Sequence, residues 1–138
     1  MAIALNGKMG NNTNLASITA ALKTPTHVYL GFSTTAISDT STLATIAESS
    51  DIARFEVTSN LGTPALDSGV PTLKNSSAIT SGNSSGEGEQ IVAWFLTTVA
   101  SDLVGDIIAY GNIASGAVYT NTGVPVSVAE NGLVISID

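Results

Sequence analysis

The chain has 138 residues and a mass of 13.9 kDa, which suits one domain with a single hydrophobic core. Hydrophobic residues make up 43% of it and charged residues only 11%, while seventeen Ser and seventeen Thr are present, a balance that favours a β-rich body over a helical bundle. Its net charge of −7 repels phosphate backbones and anionic headgroups, so we expect no nucleic-acid partner and no membrane partner.

The N-terminus is predicted to be an extended, Gly/Asn-rich arm over residues 1–12, followed by one domain over residues 13–138. Its apolar run ends at Asn6, which is too short for the roughly 7–15 apolar residues of a secretory signal, so we expect no signal peptide. The spacing of Leu15, Ile18 and Leu22 predicts one short amphipathic helix before Pro25.

From residue 27 onward the apolar period changes to two, which is typical of half-buried strands. Strands are predicted over residues 27–34 and 53–59, then 91–98 and 106–113, with a short one at 118–119. Residues 74–89, rich in Gly, Ser and Glu, are predicted to be the most disorder-prone loop.

The C-terminal strands, residues 124–129 and 133–137, flank Asn131-Gly132, the favoured dipeptide of a two-residue hairpin turn. About seven short strands joined by turn-forming residues predict a mainly β fold. The predicted architecture is an antiparallel β-sandwich or jelly-roll-like domain with one short N-terminal helix and an extended N-terminal arm.

The sequence offers little for catalysis. His27 is the only histidine, no cysteine is present, and no nucleophile-elbow, phosphate-loop or zinc-protease motif occurs. The acidic pairs Glu87/Glu89 and Asp102/Asp106 lack the regular ligand spacing of a calcium loop, which favours solvated loops. We therefore expect no enzyme activity, no metal and no cofactor.

Two sets of side chains leave alternatives open. Arg54, the only arginine, lies close to Glu48, which favours a structural ion pair over an anion-binding site. The aromatic side chains embedded in apolar strands favour core packing over a sugar-stacking platform; they are Tyr29, Trp94, Tyr110 and Tyr119.

The order of these pieces resembles small virion structural proteins of tailed bacteriophages, a group of head-decoration proteins and proteins labelled tail fibre. The resembling pieces are residues 28–34, Glu48, Ala53-Arg54, Val57-Thr58, residues 91–96, Gly105, residues 107–110 and residues 132–137. The resemblance implies a β-sandwich that assembles on a phage particle and acts as no catalyst.

The leading hypothesis is a capsid decoration (cement) protein in the virion, assembled in the host cytoplasm. It would bridge subunits of the major capsid protein as a homo-oligomer, with a trimer favoured. Three surfaces are predicted to contact partners: the arm, the apolar face of the predicted helix (the helix stripe) and the loop at 75–89. The predicted partner-contact residues are Ile3 and Leu5 on the arm and Leu15, Ile18 and Leu22 on the helix stripe. The alternative is a tail or fibre component or a glycan-binding receptor-recognition module, and a small carboxylate hydrolase is least supported.

Overall fold

A computed structural model describes residues 3–9, 18–113 and 118–136, and the chain is mainly β over these ranges, as the sequence predicted. A π-helical turn, Thr19–Lys23, and a 3₁₀ turn, Thr58–Asn60, interrupt the strands. The strands are β1 (Leu5–Met9), β2 (Tyr29–Ser33), β3 (Phe55–Glu56), β4 (Ala65–Asp67), β5 (Val70–Lys74), β6 (Ile79–Asn83), β7 (Gln90–Ile91), β8 (Ala93–Thr97), β9 (Ala109–Asn112), β10 (Val118–Tyr119), β11 (Pro125–Val128) and β12 (Leu133–Ser136).

Eight strands form one main sheet in the order β3-β2-β8-β9-β1-β12-β5-β4. Every neighbouring pair in it is antiparallel except β1 and β12, which run parallel with Leu5 opposite Leu133. Two further pairs, β7 with β10 and β6 with β11, form small antiparallel sheets. The main sheet is therefore mixed, where the sequence predicted only antiparallel pairing.

The larger core cluster joins the main sheet to the small sheets and the helical turn. Trp94 on β8 and Ile135 on β12 share this cluster with Ile79 on β6, Val126 on β11 and Leu22 on the helical turn. Because these side chains come from separate parts of the chain, their burial fixes the small sheets against the main one.

A second cluster packs around Phe95 and Tyr110, and it explains why every residue of β8 is buried. Segments flanking the strands supply its other members, including Ile37, Leu43 and Val99. Apolar side chains therefore pack against both faces of the central strand β8. This accounts for its continuous apolar sequence, whereas a strand with one face in solvent alternates apolar and polar residues.

The prediction of an extended arm over residues 1–12 is wrong for residues 5–9, which form β1 inside the main sheet. Asn, Gly and Lys in this stretch have low strand propensity, so its sequence gave no strand signal. The fit of the surrounding strands decides instead. A Cβ on Gly7 would collide with the Tyr110 carbonyl and the Trp94 ring, and one on Gly111 with the Asn6 carbonyl.

The predicted C-terminal hairpin is also wrong. A turn forms one residue earlier than predicted, since the Gly132 N–H donates to the Ala129 carbonyl at 2.8 Å and so places Glu130 and Asn131, with a φ of 62°, at its centre. The two strands then separate, because β11 pairs with β6 while β12 pairs with β1 and β5. The dipeptide signal therefore predicts a turn in this region, but it is wrong about the central residues of that turn and about the pairing of its flanks.

The predicted N-terminal helix and the predicted loop at residues 74–89 also differ from expectation. Of the helix, the described part is Ile18 followed by the turn Thr19–Lys23. Residues 74–89 contain a strand, β6, which pairs with β11 with one shift of register and places Ile79 in the core. Along β6 the side chains of Ile79 and Ser81 are buried and Thr80 between them is exposed. Ile79 is the only large apolar residue of this strand, so a Ser/Gly-rich stretch carries only a weak apolar signal for it.

Candidate interaction surfaces

The predicted partner-contact side chains lie mostly inside the chain's own fold. Leu5, Ile18 and Leu22 are fully buried in the larger core cluster. Ile3 packs against the same cluster, and its N–H donates to the Ser127 carbonyl at 2.9 Å. Leu15 lies outside the described residues. The prediction of free contact surface is therefore wrong for Leu5, Ile18 and Leu22, because burial in the core already uses the apolar area that a partner would cover.

The loop predicted to contact a partner is tied down at its C-terminal end. The Glu89 carboxylate accepts hydrogen bonds from both Ser49 and Ser50 hydroxyls and from the Ser50 N–H at 3.0 Å. The Ser85 N–H donates to the Asp51 carbonyl at 2.9 Å. Burial opposes ionisation of Glu89, but these hydrogen bonds outweigh it and lower its pKa. The loop end is therefore a fixed structural element.

Arg54 and Glu48, the two residues paired on sequence grounds, are in bidentate contact. The Arg54 Nε and Nη2 atoms each lie 2.8 Å from one Glu48 carboxylate oxygen. The Arg54 Nη1 atom also donates to the carbonyls of Val99 at 3.0 Å and Asp102 at 2.9 Å, and the guanidinium lies over the Phe95 ring. With the Arg54 side chain only 1% exposed, its guanidinium binds the protein itself and presents no charge for an anionic ligand.

Next to this arginine the β8–β9 connection exposes two apolar side chains. Leu103 is 57% exposed and Val104 is 79% exposed, directly after Asp102. The Asp102 carboxylate accepts the Val104 N–H at 3.0 Å, and the Asp102 carbonyl is held by Arg54. We name Leu103 and Val104 the apolar tip. Its backbone is fixed by polar contacts, so its side chains are presented to solvent without support from the core.

A second apolar exposure lies at the far edge of the main sheet. The strands β4 and β5 form a hairpin whose turn, Ser68-Gly69, has φ values of 51° and 83°. Leu66 is 64% exposed and Val70 is 38% exposed. We name Leu66 and Val70 the edge patch. A shallow groove of about 340 Å³ opens beside it, lined in part by Leu66 and by the Lys74–Asp67 ion pair at 3.1 Å.

The basic side chains of Lys23, His27, Arg54 and Lys74 each have an acceptor in this chain. Besides Arg54 and Lys74, Lys23 Nζ donates to the Leu61 carbonyl at 2.8 Å. His27 Nδ1 lies 2.7 Å from a Glu56 carboxylate oxygen. Because these four cations are already paired within the chain, they are poorly placed to bind phosphate.

The His27–Glu56 pair is the arrangement nearest to an acid–base dyad. A hydrogen bond from His27, with a second from the Thr58 hydroxyl, lowers the pKa of Glu56. The Thr58 oxygen in turn accepts the Val28 N–H at 2.8 Å. The Thr58 hydroxyl therefore uses both its proton and a lone pair in local hydrogen bonds, and the His27 and Glu56 side chains are 55% and 45% exposed.

The candidate sugar platform is divided by the fold. Trp94 is fully buried and Tyr110 almost so, which leaves Tyr29 and the more exposed Tyr119. These two lie on β2 of the main sheet and on β10 of a small sheet. Among residues 3–9, 18–113 and 118–136, three or more potential metal ligands come together nowhere.

Comparison of the chain with protein-family models, with curated proteins and with solved structures finds no match. A search of the described helices finds none with the length and apolar character to cross a membrane. Sequence reasoning missed the apolar tip and the edge patch. The signal for both was the same: large apolar residues placed inside turn-forming stretches, as in Asp102-Leu103-Val104-Gly105.

Proposed function

We propose that this chain is a structural protein of a tailed-bacteriophage virion, and that it acts as a capsid decoration (cement) protein bridging subunits of the major capsid protein. In this proposal the main sheet and the small sheets form the two layers of a β-sandwich. The resemblance of residues 28–34, 91–96 and 132–137 to small virion proteins supports the assignment.

The observation that carries the proposal is the placement of the apolar tip and the edge patch. The tip connects β8 to β9 and is tied to Arg54, which immediately precedes the edge strand β3. The edge patch lies on β4 and β5, at the opposite end of the strand order. A protein that bridges two neighbours needs two separate contact surfaces, and these two lie in different halves of the sheet.

The chemistry of the surface supports docking against protein. Burying an unpaired charge in an interface is costly, whereas hydroxyl and apolar groups can be buried at lower cost. Here the Arg54 and Lys74 cations are already paired within the chain, and the tip and the edge patch expose apolar area. Many modest contacts of this kind, repeated over a shell, add up through avidity.

Binding to phage heads tests the proposal. Purified protein is added to empty heads and, separately, to isolated tails of the phage that encodes it, and the bound fraction is measured by sedimentation. We expect saturable binding to heads. Replacing Leu103 and Val104 together with Ser should weaken binding about tenfold or more, since each buried aliphatic side chain contributes roughly 1.5–3 kcal/mol.

Val124→Ser is the matched control, because Val124 is also exposed but belongs to neither surface. It should bind like the unmodified chain. Binding to tails alone would instead place the protein at the tail, and equal binding by the tip and control variants would remove the tip from the interface.

A further inference from the structure

The strand β1 alone connects the two halves of the main sheet. On one side lie β3, β2, β8 and β9, and on the other lie β12, β5 and β4. The strands β9 and β12 are not hydrogen-bonded neighbours, since β1 lies between them, antiparallel to β9 and parallel to β12. The first strand of the chain therefore fills a slot whose walls are made by much later parts of the sequence.

The slot is shaped for this strand. The Leu5 side chain enters the larger core cluster, and the Leu5 N–H donates to the Gly132 carbonyl at 2.7 Å. Gly7 lies flat against Trp94 and the Tyr110 carbonyl, where a Cβ would collide with both. The Trp94 indole N–H donates to the Asn6 carbonyl at 3.3 Å. The walls of the slot thus recognise the strand through shape and backbone hydrogen bonds.

The strand has little tendency to form without the slot. Its central residues, Asn6, Gly7 and Lys8, have low strand propensity, and parallel pairing is slightly weaker per residue than antiparallel pairing. Its partners lie near the other end of the chain, because Leu5 pairs with Leu133. Contacts between residues so far apart in sequence carry a high cost of loop closure and tend to form late, so we expect β1 to be the last strand to enter the sheet.

From this order of events we infer that copies of the chain exchange β1, so that Leu5–Met9 of one copy fills the β9/β12 slot of another. The contacts of the strand are the same in either copy, which makes exchange a low-cost route to an oligomer. Eight residues separate Met9 from Ile18, and eight residues span at most about 28 Å, which limits the distance between an exchanged strand and Ile18 of its own chain. The partner is a second copy of this chain, whatever particle it joins.

A cross-linking experiment in solution tests the exchange. The chain has no cysteine, so single cysteines give unambiguous links. Asn6 lies opposite Val134 in the β1–β12 register, on the face away from the buried Leu5 and Leu133. Asn6→Cys chains and Val134→Cys chains are mixed, unfolded, refolded at high concentration and treated with a short bismaleimide, and the products are mapped by mass spectrometry.

A link between positions 6 and 134 then joins two different chains. We expect it in up to about half of the exchanged molecules, the statistical share of mixed pairs in a two-fold exchange. The matched control mixes Val134→Cys with Lys74→Cys, since Lys74 is the register partner of Val134 on β5, which stays in its own copy. Absence of the 6–134 link, or equal linking of the control pair, overturns the inference.

The mass of the refolded chain gives a second, independent readout. The unmodified protein should contain oligomers that persist on dilution, because unpairing β1 requires opening the sheet. Gly7→Val adds a side chain to β1 that would collide with Trp94 and the Tyr110 carbonyl in the walls of the slot. The variant strand cannot enter the slot, so those oligomers should disappear. An unmodified chain that refolds only to monomers, or a Gly7→Val chain that keeps its oligomers, contradicts strand exchange.

Discussion

Asn75 and Leu133 are joined by two hydrogen bonds that replace the missing C-terminal hairpin. The Asn75 Oδ1 atom accepts the Leu133 N–H at 2.9 Å, and the Asn75 N–H donates to the Leu133 carbonyl at 3.3 Å. The Asn75 Nδ2 atom also donates to the carbonyls of Ser77 and Ala129, each at 2.9 Å. One buried amide therefore holds the turn at the point where β11 and β12 separate.

Asn75→Ala should destabilise the chain by about 2–4 kcal/mol, because it leaves the buried Leu133 N–H without its acceptor and removes two further hydrogen bonds, to the carbonyls of Ser77 and Ala129. The free energy of unfolding in urea measures the effect. Asn83→Ala is the control, since Asn83 is exposed on β6, and it should change that free energy by less than about 0.5 kcal/mol. Similar losses in both variants would contradict the role given to Asn75.

Arg54→Ala should cost about 3–5 kcal/mol, because it removes a buried partner from Glu48 and from two loop carbonyls. The same variant should speed hydrogen exchange at the Val104 amide, whose acceptor belongs to the residue held by Arg54. Arg54→Lys should recover only part of the stability, since an ammonium cannot make the bidentate contact. Unchanged exchange at Val104 in Arg54→Ala would show that the tip is held by other contacts.

Thr97→Val should stabilise the chain by about 1 kcal/mol. The Thr97 hydroxyl is buried on β8 and finds no hydrogen-bond partner within the described ranges, and valine has nearly the same shape. Thr98→Val, at the exposed neighbouring position, is the control and should have little effect. Thermal unfolding compares the two, and a loss of stability in Thr97→Val would mean that the hydroxyl has a partner.

Acid should weaken the fold partly through Glu89. The pKa of this carboxyl is lowered in the folded chain, so its ionised form favours folding at pH values above the ordinary pKa of 4.5. The stabilisation is lost as the pH falls from that value through the lowered pKa. Glu89→Gln should therefore show a flatter dependence of stability on pH in this acidic range. An unchanged slope in urea titrations would contradict the effect.

The fold follows from the sequence where apolar alternation is strong. Residues 27–34 and 91–98 contain β2 and β8, because their apolar side chains specify one buried face or two. The tertiary partners of weakly patterned stretches could not be predicted in this way. The strand β1 is selected by the space beside Trp94, and β6 by pairing with β11.

The candidate surfaces show the same division. The contact between Glu48 and Arg54 follows from their proximity in a charge-poor chain. The apolar spacing of Ile18 and Leu22 is compatible with burial in the chain's own core and equally with a surface that contacts a partner. The sequence pattern does not distinguish the two, and the structure buries both side chains. Exposure of Leu103 depends on a loop conformation, and that of Leu66 on the place of β4 at the edge of the sheet, neither of which the apolar pattern specifies.

Electron cryo-microscopy of virions of the phage that encodes the chain tests the central claim most directly. The account predicts copies of this β domain on the outside of the head, at joints between major capsid subunits, with the apolar tip and the edge patch on different subunits. Density for the chain at the tail only, or virions that lack it altogether, would contradict the account.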